Sequence, residues 1–376
     1  MNTEIKKLNE VLTFIKDKFI GKDEIIDLLG ISLIARENAF LLGPPGTAKS
    51  AIVRELSSCI DGGKNFEYLL TRFTEPNEIF GPFDIRKLKE GELITNISGM
   101  MPEASLVFLD EIFNANSAIL NSLLMALNEK IFRRGKEIIK LPALMFVGAS
   151  NLLPEDESLN ALLDRFLIRI KCDYVDTDLL ESVLIAGRKL ENTEGEAKPL
   201  VQPEDIRQLQ NSCKQVDLSH IRKEYVDLIH NFRNTGVAVS DRRAVKFQNL
   251  IAASALICGR EQAILSDLWV LKHVWDTEDQ IEILAGIIDN VIKNQDEGKA
   301  HPQAVANKVP NAELLNEELE HIKKILQAPV SYEEQNKIKD KLRFLQTRCN
   351  WITHAEHKQH IQSEIELLWQ KMLQEV

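Results

Sequence analysis

Sulfur chemistry is sparse in this chain. Its 376 residues include five cysteines, at 59, 172, 213, 258 and 349, and no two of them form a Cys-x-x-Cys pair. That spacing excludes a zinc ribbon and argues against a disulfide framework; reduced, buried thiols in a cytoplasmic protein are the simpler expectation. Positive charge is also short. Lysine and arginine number 46 against 57 aspartates and glutamates, for a net charge of -11. A binder of nucleic acid usually carries a basic face, so no nucleic-acid partner is expected. No apolar run approaches the roughly 20 residues that span a bilayer, and the start, MNTEIKKLNEVLTFIKDKF, is charged and amphipathic rather than a secretory signal. No membrane insertion follows from either. Internal repeats and low-complexity tracts are missing too.

What is present is enough apolar material (44% of residues) to fill more than one core. From 1 to about 172, short apolar runs alternate with helix-like stretches: AFLL (39–42), EYLL (67–70), SLVFLD (105–110), ALMFVGAS (143–150) and FLIRI (166–170). Buried strands alternating with helices predict an α/β core around a mostly parallel sheet. The Gly-, Pro- and Asn-rich segment 81–104 breaks the alternation and reads as an inserted loop or hairpin. From about 173 to 275 the apolar spacing is helical throughout, predicting an all-α domain. From 276 to 376 the chain stays helical and becomes more charged. Its last part carries three helix faces: Leu315, Leu319, Ile322 and Leu326; Ile338, Leu342, Leu345 and Cys349; Ile361, Ile365, Leu368 and Met372. Ser331 with Glu334, and Thr353 with Glu356, fit capping boxes opening the second and third of these. His354, His357 and His360 do not share one helix face, so a solvated surface is expected of them rather than a metal site.

Three motifs carry chemistry. GPPGTAKS (Gly43, Pro44, Pro45, Gly46, Thr47, Ala48, Lys49, Ser50) follows a strand and opens a helix, the context a phosphate-binding loop requires. Its backbone N–H groups would surround phosphate oxygens, Lys49 would reach the β- and γ-phosphates of ATP, and the Ser50 hydroxyl would sit on Mg2+. Ala48 stands where the generic pattern has glycine, which predicts a backbone there that tolerates a Cβ. Second, SLVFLDEI ends an apolar strand in two carboxylates. Asp110 would hold magnesium through water, and Glu111 would orient and polarise the water that attacks the γ-phosphate. Third, the next apolar run ends in Asn151, whose neutral amide can help hold that water without adding negative charge. Further along, VSDRR (239–243) opens a helix that Ser240 can cap, and Arg242 or Arg243 leans toward the nucleotide from the second domain. ALLDRFLIRI (161–170) sets Asp164 and Arg165 inside an apolar stretch: either a buried pair, or an arginine presented to something outside the fold.

With these elements in order, the sequence resembles the AAA+ ATPases, within them the MoxR family, and most closely its RavA group, over roughly residues 10 to 275. GPPGTAKS with Ala before Lys is the MoxR form of the phosphate loop, and FTEPNEIFGPFDI (73–85) and SGMMPEASLVFLDEI (98–112) match the RavA group. The resemblance implies an α/β P-loop NTPase core (1–172) with a helix-2 insert near 81–104, an all-α lid (173–275) and a helical C-terminal extension (276–376). It implies that FIGKDEII (19–26), with Ile20, packs near adenine and that FRRGKEIIKLP (132–142) is the hairpin before sensor 1. It makes Asn151 sensor 1, Arg165 the arginine finger, and Arg242 the sensor-2 arginine with Arg243 as second choice. It also implies a cytoplasmic, hexameric ATP hydrolase with ATP between subunits, acting chaperone-like on a protein client with a von Willebrand factor A domain partner. The β-rich module that RavA inserts into its C-terminal domain has no counterpart here. Two other classes stay open on sequence alone: a nucleotide-gated scaffold with slow turnover, and a nucleic-acid motor, which the acidic balance disfavours.

Overall fold

The structure, a computed structural model, describes residues 2–306 apart from 92, 135–136, 155, 176, 193–197 and 293–299. Beyond these it describes 319–320, 322–323, 338–339, 342, 345–346 and 355–374. Two compact units are present, Met1–His301 and Pro302–Val376.

The first unit opens with α1 (Asn2–Lys18) and α2 (Asp23–Ala35) and then enters β1 (Ala39–Leu42), whose four residues are all buried. After the 43–48 loop come α3 (Lys49–Ser58), β2 (Asn65–Leu69), and the short helices α4 (Pro76–Phe80) and α5 (Ile85–Lys89). Strand β3 (Leu106–Asp110), helix α6 (Ser117–Glu129) and the antiparallel pair β4 (Ile131–Arg134) and β5 (Glu137–Lys140) lead to β6 (Met145–Ser150). The core closes with α7 (Glu157–Leu163) and β7 (Ile168–Lys171).

Five strands form one parallel sheet in the order β2-β3-β6-β1-β7. The central strands are apolar along their whole length because helices cover both faces. Because every strand runs the same way, residues just after the strands gather at one edge of the sheet and residues just before them at the other. The edge after the strands is where ligands of open α/β sheets bind. Here it receives the ends of β1, β3 and β6, which carry the sequence motifs. The order in which the chain visits the strands reverses beside β1, so the 43–50 loop opens at that switch point.

The 81–104 insert holds the short helix α5 between paired backbone segments: Asp84 N donates to Ile94 O at 2.8 Å and Asn96 N to Pro82 O at 2.8 Å. It is fastened to the β4–β5 hairpin. Phe80 stacks on Phe132 at 4.9 Å, the Arg134 guanidinium lies 3.8 Å over Phe83, and Thr95 donates its N–H and hydroxyl to Glu137.

The helical part follows as α8 (Leu180–Asn192), α9 (Pro203–Cys213), α10 (Arg222–Asn234), α11 (Asp241–Ile257), a 3-10 segment Leu265–His273, and α12 (Asp279–Ile292). The compact unit thus runs on to His301, past the boundary at 275/276 drawn from the rise in charge. Packing explains the difference. Leu284, Ile288 and Ile292 of α12 are buried, Lys272 pairs with Asp289 at 2.6 Å, and Asp276 lies within a two-arginine cluster. Cys59, Cys172 and Cys213 are buried free thiols, and burial pushes the last two up to about 12.

In the second unit, α13 (Pro302–Ala306) and α14 (Ala355–Gln374) are described. Leu319, Ile322, Ile338, Leu342, Leu345, Ile361, Ile365 and Leu368 share one core with Trp369 against it, so the three predicted faces meet. Leu315, Leu326, Cys349, Ser331, Glu334, Thr353 and His354 lie outside the described residues.

Candidate nucleotide site

The site is assembled from strand ends. Gly43 directly follows β1, and a Cβ built there would come within 2.1 Å of the Cys172 carbonyl oxygen at the end of β7. No other residue fits that approach. Gly46 has φ +82 and open space around it, so its glycine serves conformation rather than clearance. Ala48 has φ 68 and ψ 16. The expectation that Ala48 marks a Cβ-tolerant backbone is therefore corrected: the loop keeps the left-handed turn that glycine favours, and the alanine carries the strain, about 1–2 kcal/mol. The N-cap residue of α3, Ala48, has no side chain able to cap it, which leaves its first N–H groups to an anion. Two substitutions follow from this geometry. Gly43→Ala should cost about 1–3 kcal/mol through overpacking and weaken nucleotide binding, whereas Ala48→Gly should retain both. Thermal melts and titration with a fluorescent ATP analogue read the two effects.

Lys49 is buried and donates to the carbonyls of Gly43 and Pro44 and, at 3.3 Å, to Asn151 Oδ1. Asn151 Nδ2 in turn donates to Glu111 Oε1 at 2.6 Å. The strand order dictates this chain of contacts: β6, which ends at Ser150, lies between β1 and β3, so Asn151 stands between the loop lysine and the glutamate. Ser50 Oγ is 3.4 Å from Asp110 Oδ2, whose other oxygen accepts the Glu111 N–H at 3.0 Å. Glu111 itself sits at φ 50, a left-handed backbone for a non-glycine residue, the kind of strain found at functional positions. Burial, reinforced by the Asp110 charge, raises the Glu111 carboxyl above its ordinary range, while Lys49 and the Asn151 hydrogen bond pull the other way.

The oxygens of Ser50 and Asp110, side by side at the edge of the loop, suit a hard cation such as Mg2+. The uncapped helix start, the glycines and the buried lysine suit phosphate oxygens. Ile20, partly exposed, precedes Gly21, whose Cα faces Val175 and Leu179; Lys22 donates to the Asp173 carbonyl. This segment therefore borders the chain leaving β7, near the loop. Sequence reading missed Tyr174, whose hydroxyl reaches Pro45 O at 3.4 Å; a lone tyrosine after a strand carries no signal of that contact.

The structure does not bring the arginines to this edge. Arg165 precedes β7, and its carbonyl oxygen accepts from Asn38 Nδ2 at 3.0 Å. Asn38 precedes β1 while the phosphate loop follows it. Five residues of extended chain, roughly 16 Å, separate Asn38 from Gly43. Arg165 is therefore at the opposite edge of the sheet from its own loop. Its pair with Asp164, at 2.8 Å, is partly exposed. The buried arginine of ALLDRFLIRI is Arg169, four residues on, which is 1% exposed and pairs with Asp276. Ser240 caps α11 as predicted, accepting from Arg243 N at 3.2 Å. Arg243 points inward to Asp276 at 2.9 Å, and Arg242 donates to Asn128 Oδ1 at 3.0 Å near the end of α6. Helix α6 starts after β3 and ends before β6, so Arg242 also lies at the far edge. Arg242, expected to lean toward the nucleotide from the second domain, thus lies away from the phosphate loop of its own chain. Among the described residues no His/Cys/Asp/Glu cluster of metal-binding geometry occurs, and no helix is long and apolar enough to cross a membrane.

The parallel sheet, phosphate loop, paired carboxylates and attached helical domain define a P-loop ATPase core of AAA+ architecture. A putative ATPase from Cytophaga hutchinsonii has this fold, with a TM-score of 0.62 at 19% identity over 78% of this chain and 96% of that one. Residues 6–211 match the family described as the MoxR domain in the MoxR-vWA-beta-propeller ternary systems, and residues 215–288 match an AAA lid domain. The chain belongs to the MoxR family of AAA+ ATPases. It is 33% identical to an uncharacterised protein of Methanocaldococcus jannaschii, MJ0079, over 94% of this chain and 91% of that one. It is 23% identical to the chaperone MoxR1 of Mycobacterium tuberculosis over 59% of this chain and 58% of that one.

Proposed function

We propose that this protein is a Mg2+-dependent ATP hydrolase that works as a cytoplasmic hexamer, with ATP bound at each subunit interface, and spends hydrolysis on remodelling a protein client. The observation that carries the reading is the linked series Lys49, Asn151, Glu111 and Asp110 at the strand ends. Ser50 and Asp110 would hold magnesium, which when bound would supply neutralisation of phosphate charge. Lys49, released from the loop carbonyls, binds the β- and γ-phosphate oxygens. Glu111 accepts a hydrogen bond from the attacking water and orients it, and Asn151 fixes the glutamate. Arg165 and Arg242, at the far edge, serve the nucleotide of a neighbouring subunit. Arg243, held inward by Asp276, is not a candidate for that role.

Client work is supported by the joined insert and hairpin, which expose Ile85, Leu88, Leu93 and Ile138 to solvent. The matched family is described in ternary systems with a von Willebrand factor A protein and a β-propeller, and a relative is named a chaperone. We therefore assign a von Willebrand factor A domain partner. The RavA-group likeness rests on the 73–85 and 98–112 motifs alone.

Glu111→Gln tests the hydrolase reading. ATP turnover should fall by about 10^2–10^4 while nucleotide affinity holds. Because the carboxyl is raised and must be ionised to act, turnover of the native protein should decline with falling pH at values above the ordinary glutamate range. Turnover equal to that of the native protein in Glu111→Gln would remove the reading.

A further inference from the structure

The turn between α2 and β1 joins several working parts of the molecule. Glu37 and Asn38 are both buried there. Asn38 brackets the arginine at 165: its main-chain carbonyl accepts from Leu167 N at 3.1 Å, and its side-chain Nδ2 donates to Arg165 O at 3.0 Å. The same Nδ2 donates to Leu127 O at 3.3 Å in the last turn of α6, and Oδ1 accepts from Lys130 Nζ at 3.1 Å. A carboxamide offers two donor hydrogens and an acceptor oxygen, and all three are engaged. Lys130 is the left-handed residue, φ 54, that closes α6. Its carbonyl accepts from Leu141 N at 2.8 Å, so it also forms the base of the β4–β5 hairpin, and its Nζ lies 4.4 Å over the Phe146 ring of β6. Glu37, next to it, accepts from Lys246 at 2.6 Å and from Asn249 at 3.4 Å, both on α11.

We propose that Asn38 is the positioning residue of the arginine finger: it sets Arg165 for the neighbouring subunit and ties it to the base of the hairpin. The proposal rests on the reading of Arg165 as a group that acts on a neighbour's nucleotide. The Leu167 bond to the Asn38 carbonyl can be made by any residue at 38, whereas the bond to Arg165 O needs the carboxamide. Among the described residues the Arg165 guanidinium has Asp164, itself partly exposed, as its ion-pair partner, and its Nε has no hydrogen-bond partner. Its starting position is therefore set by the backbone, which Arg165 N to Leu162 O (3.0 Å) holds from within the α7 end and Asn38 holds from the neighbouring turn. A displacement of about 1 Å in such a group costs about 100-fold in rate. The hairpin is fastened to the insert through Phe132 and Arg134, so a load on that pair reaches the finger through one side chain.

Asn38→Asp keeps the size, keeps the Lys130 contact and removes both donors. Turnover should fall by about 10- to 100-fold with unchanged nucleotide affinity. The deciding readout is complementation in mixed oligomers. Asn38→Asp subunits mixed with Glu111→Gln subunits should regain turnover, because each supplies what the other lacks. Mixed with Arg165→Ala subunits they should gain nothing above their own residual rate. A merely structural defect gives no such split. Loss of affinity at the variant's own site, no recovery with Glu111→Gln, or recovery with Arg165→Ala overturns the assignment. The pair Glu111→Gln with Arg165→Ala is the control: if it does not recover, the finger reading has failed and the assignment of Asn38 falls with it. Should Asn38→Asp not fold, Asn38→Ser carries the same test.

Discussion

Arg165→Ala is expected to bind ATP as the native protein does and to lose at least about 10^3 in turnover, the scale of arginine fingers in phosphoryl transfer. Geometry gives the reason. Residues that touch phosphate in this fold stand after the strands, and Arg165 stands before them, beside Asn38. Its removal leaves Gly43–Ser50, Asp110, Glu111 and Asn151 untouched, so affinity should hold. Among the described residues its buried Nε has no partner and its ion pair is with a half-exposed Asp164, which describes a guanidinium under-used within its own subunit. If Arg165 instead served only its own fold, alanine would lower stability and leave turnover per folded subunit unchanged. Steady-state hydrolysis and equilibrium nucleotide titration, run with a thermal melt of the same variant, separate the two.

Asp276→Ala should destabilise the protein by about 3 kcal/mol, the lower end of the cost of breaking a buried ion pair. Two guanidinium groups share this carboxylate. Arg169, from the middle of β7, reaches Oδ1 at 2.5 Å and the Trp275 carbonyl; Arg243, from the first turn of α11, reaches Oδ2 at 2.9 Å and the Val274 carbonyl at 2.7 Å. Burial pushes Arg169 down to about 10; Asp276 offsets part of that, and the charge of Arg243 adds to it. With the carboxylate gone, two buried cations face one another with only carbonyls to hold them. The side chain of Asp276 is 29% exposed, so water softens the loss, which is why the lower figure is the expected one. The cluster joins the sheet to the lid helix, so turnover should fall as well. Asp276→Asn, which keeps an acceptor, should lose less. Urea denaturation followed by circular dichroism measures both, and a loss within 0.5 kcal/mol, the usual span of surface changes, would show that the carbonyls alone suffice.

Much of this was legible in the sequence because it depends on local order. GPPGTAKS after AFLL, and two acids ending SLVFLD, name a strand end, a loop and a helix start without knowledge of the rest. The alternation of apolar runs gave the strands to within a residue or two, and FLIRI shifted only because Phe166 and Leu167 bury themselves before the ladder begins at Ile168. What escaped depends on which strand lies beside which. Nothing in the chain announces that β6 separates β1 from β3, which is what puts Asn151 between Lys49 and Glu111. Nothing announces that α11 begins at the far edge, which moves Arg242 away from its own loop and turns Arg243 onto Asp276. The compact unit runs past the boundary drawn at 275 for the same reason, since Asp276, where the charge begins to rise, is the centre of a buried cluster. Ala48 was misread because a Cβ in a left-handed turn is a cost the chain tolerates, not one the sequence pattern reveals.

The central claim is that one subunit's nucleotide is served by another's arginine. Mixing Glu111→Gln with Arg165→Ala subunits tests it most directly. Each variant alone should be close to inactive. In an equal mixture about one interface in four joins an intact Glu111 to an intact Arg165, and turnover should recover toward that share. Zero recovery at every mixing ratio, with both variants shown to bind ATP and to co-assemble, would contradict the account.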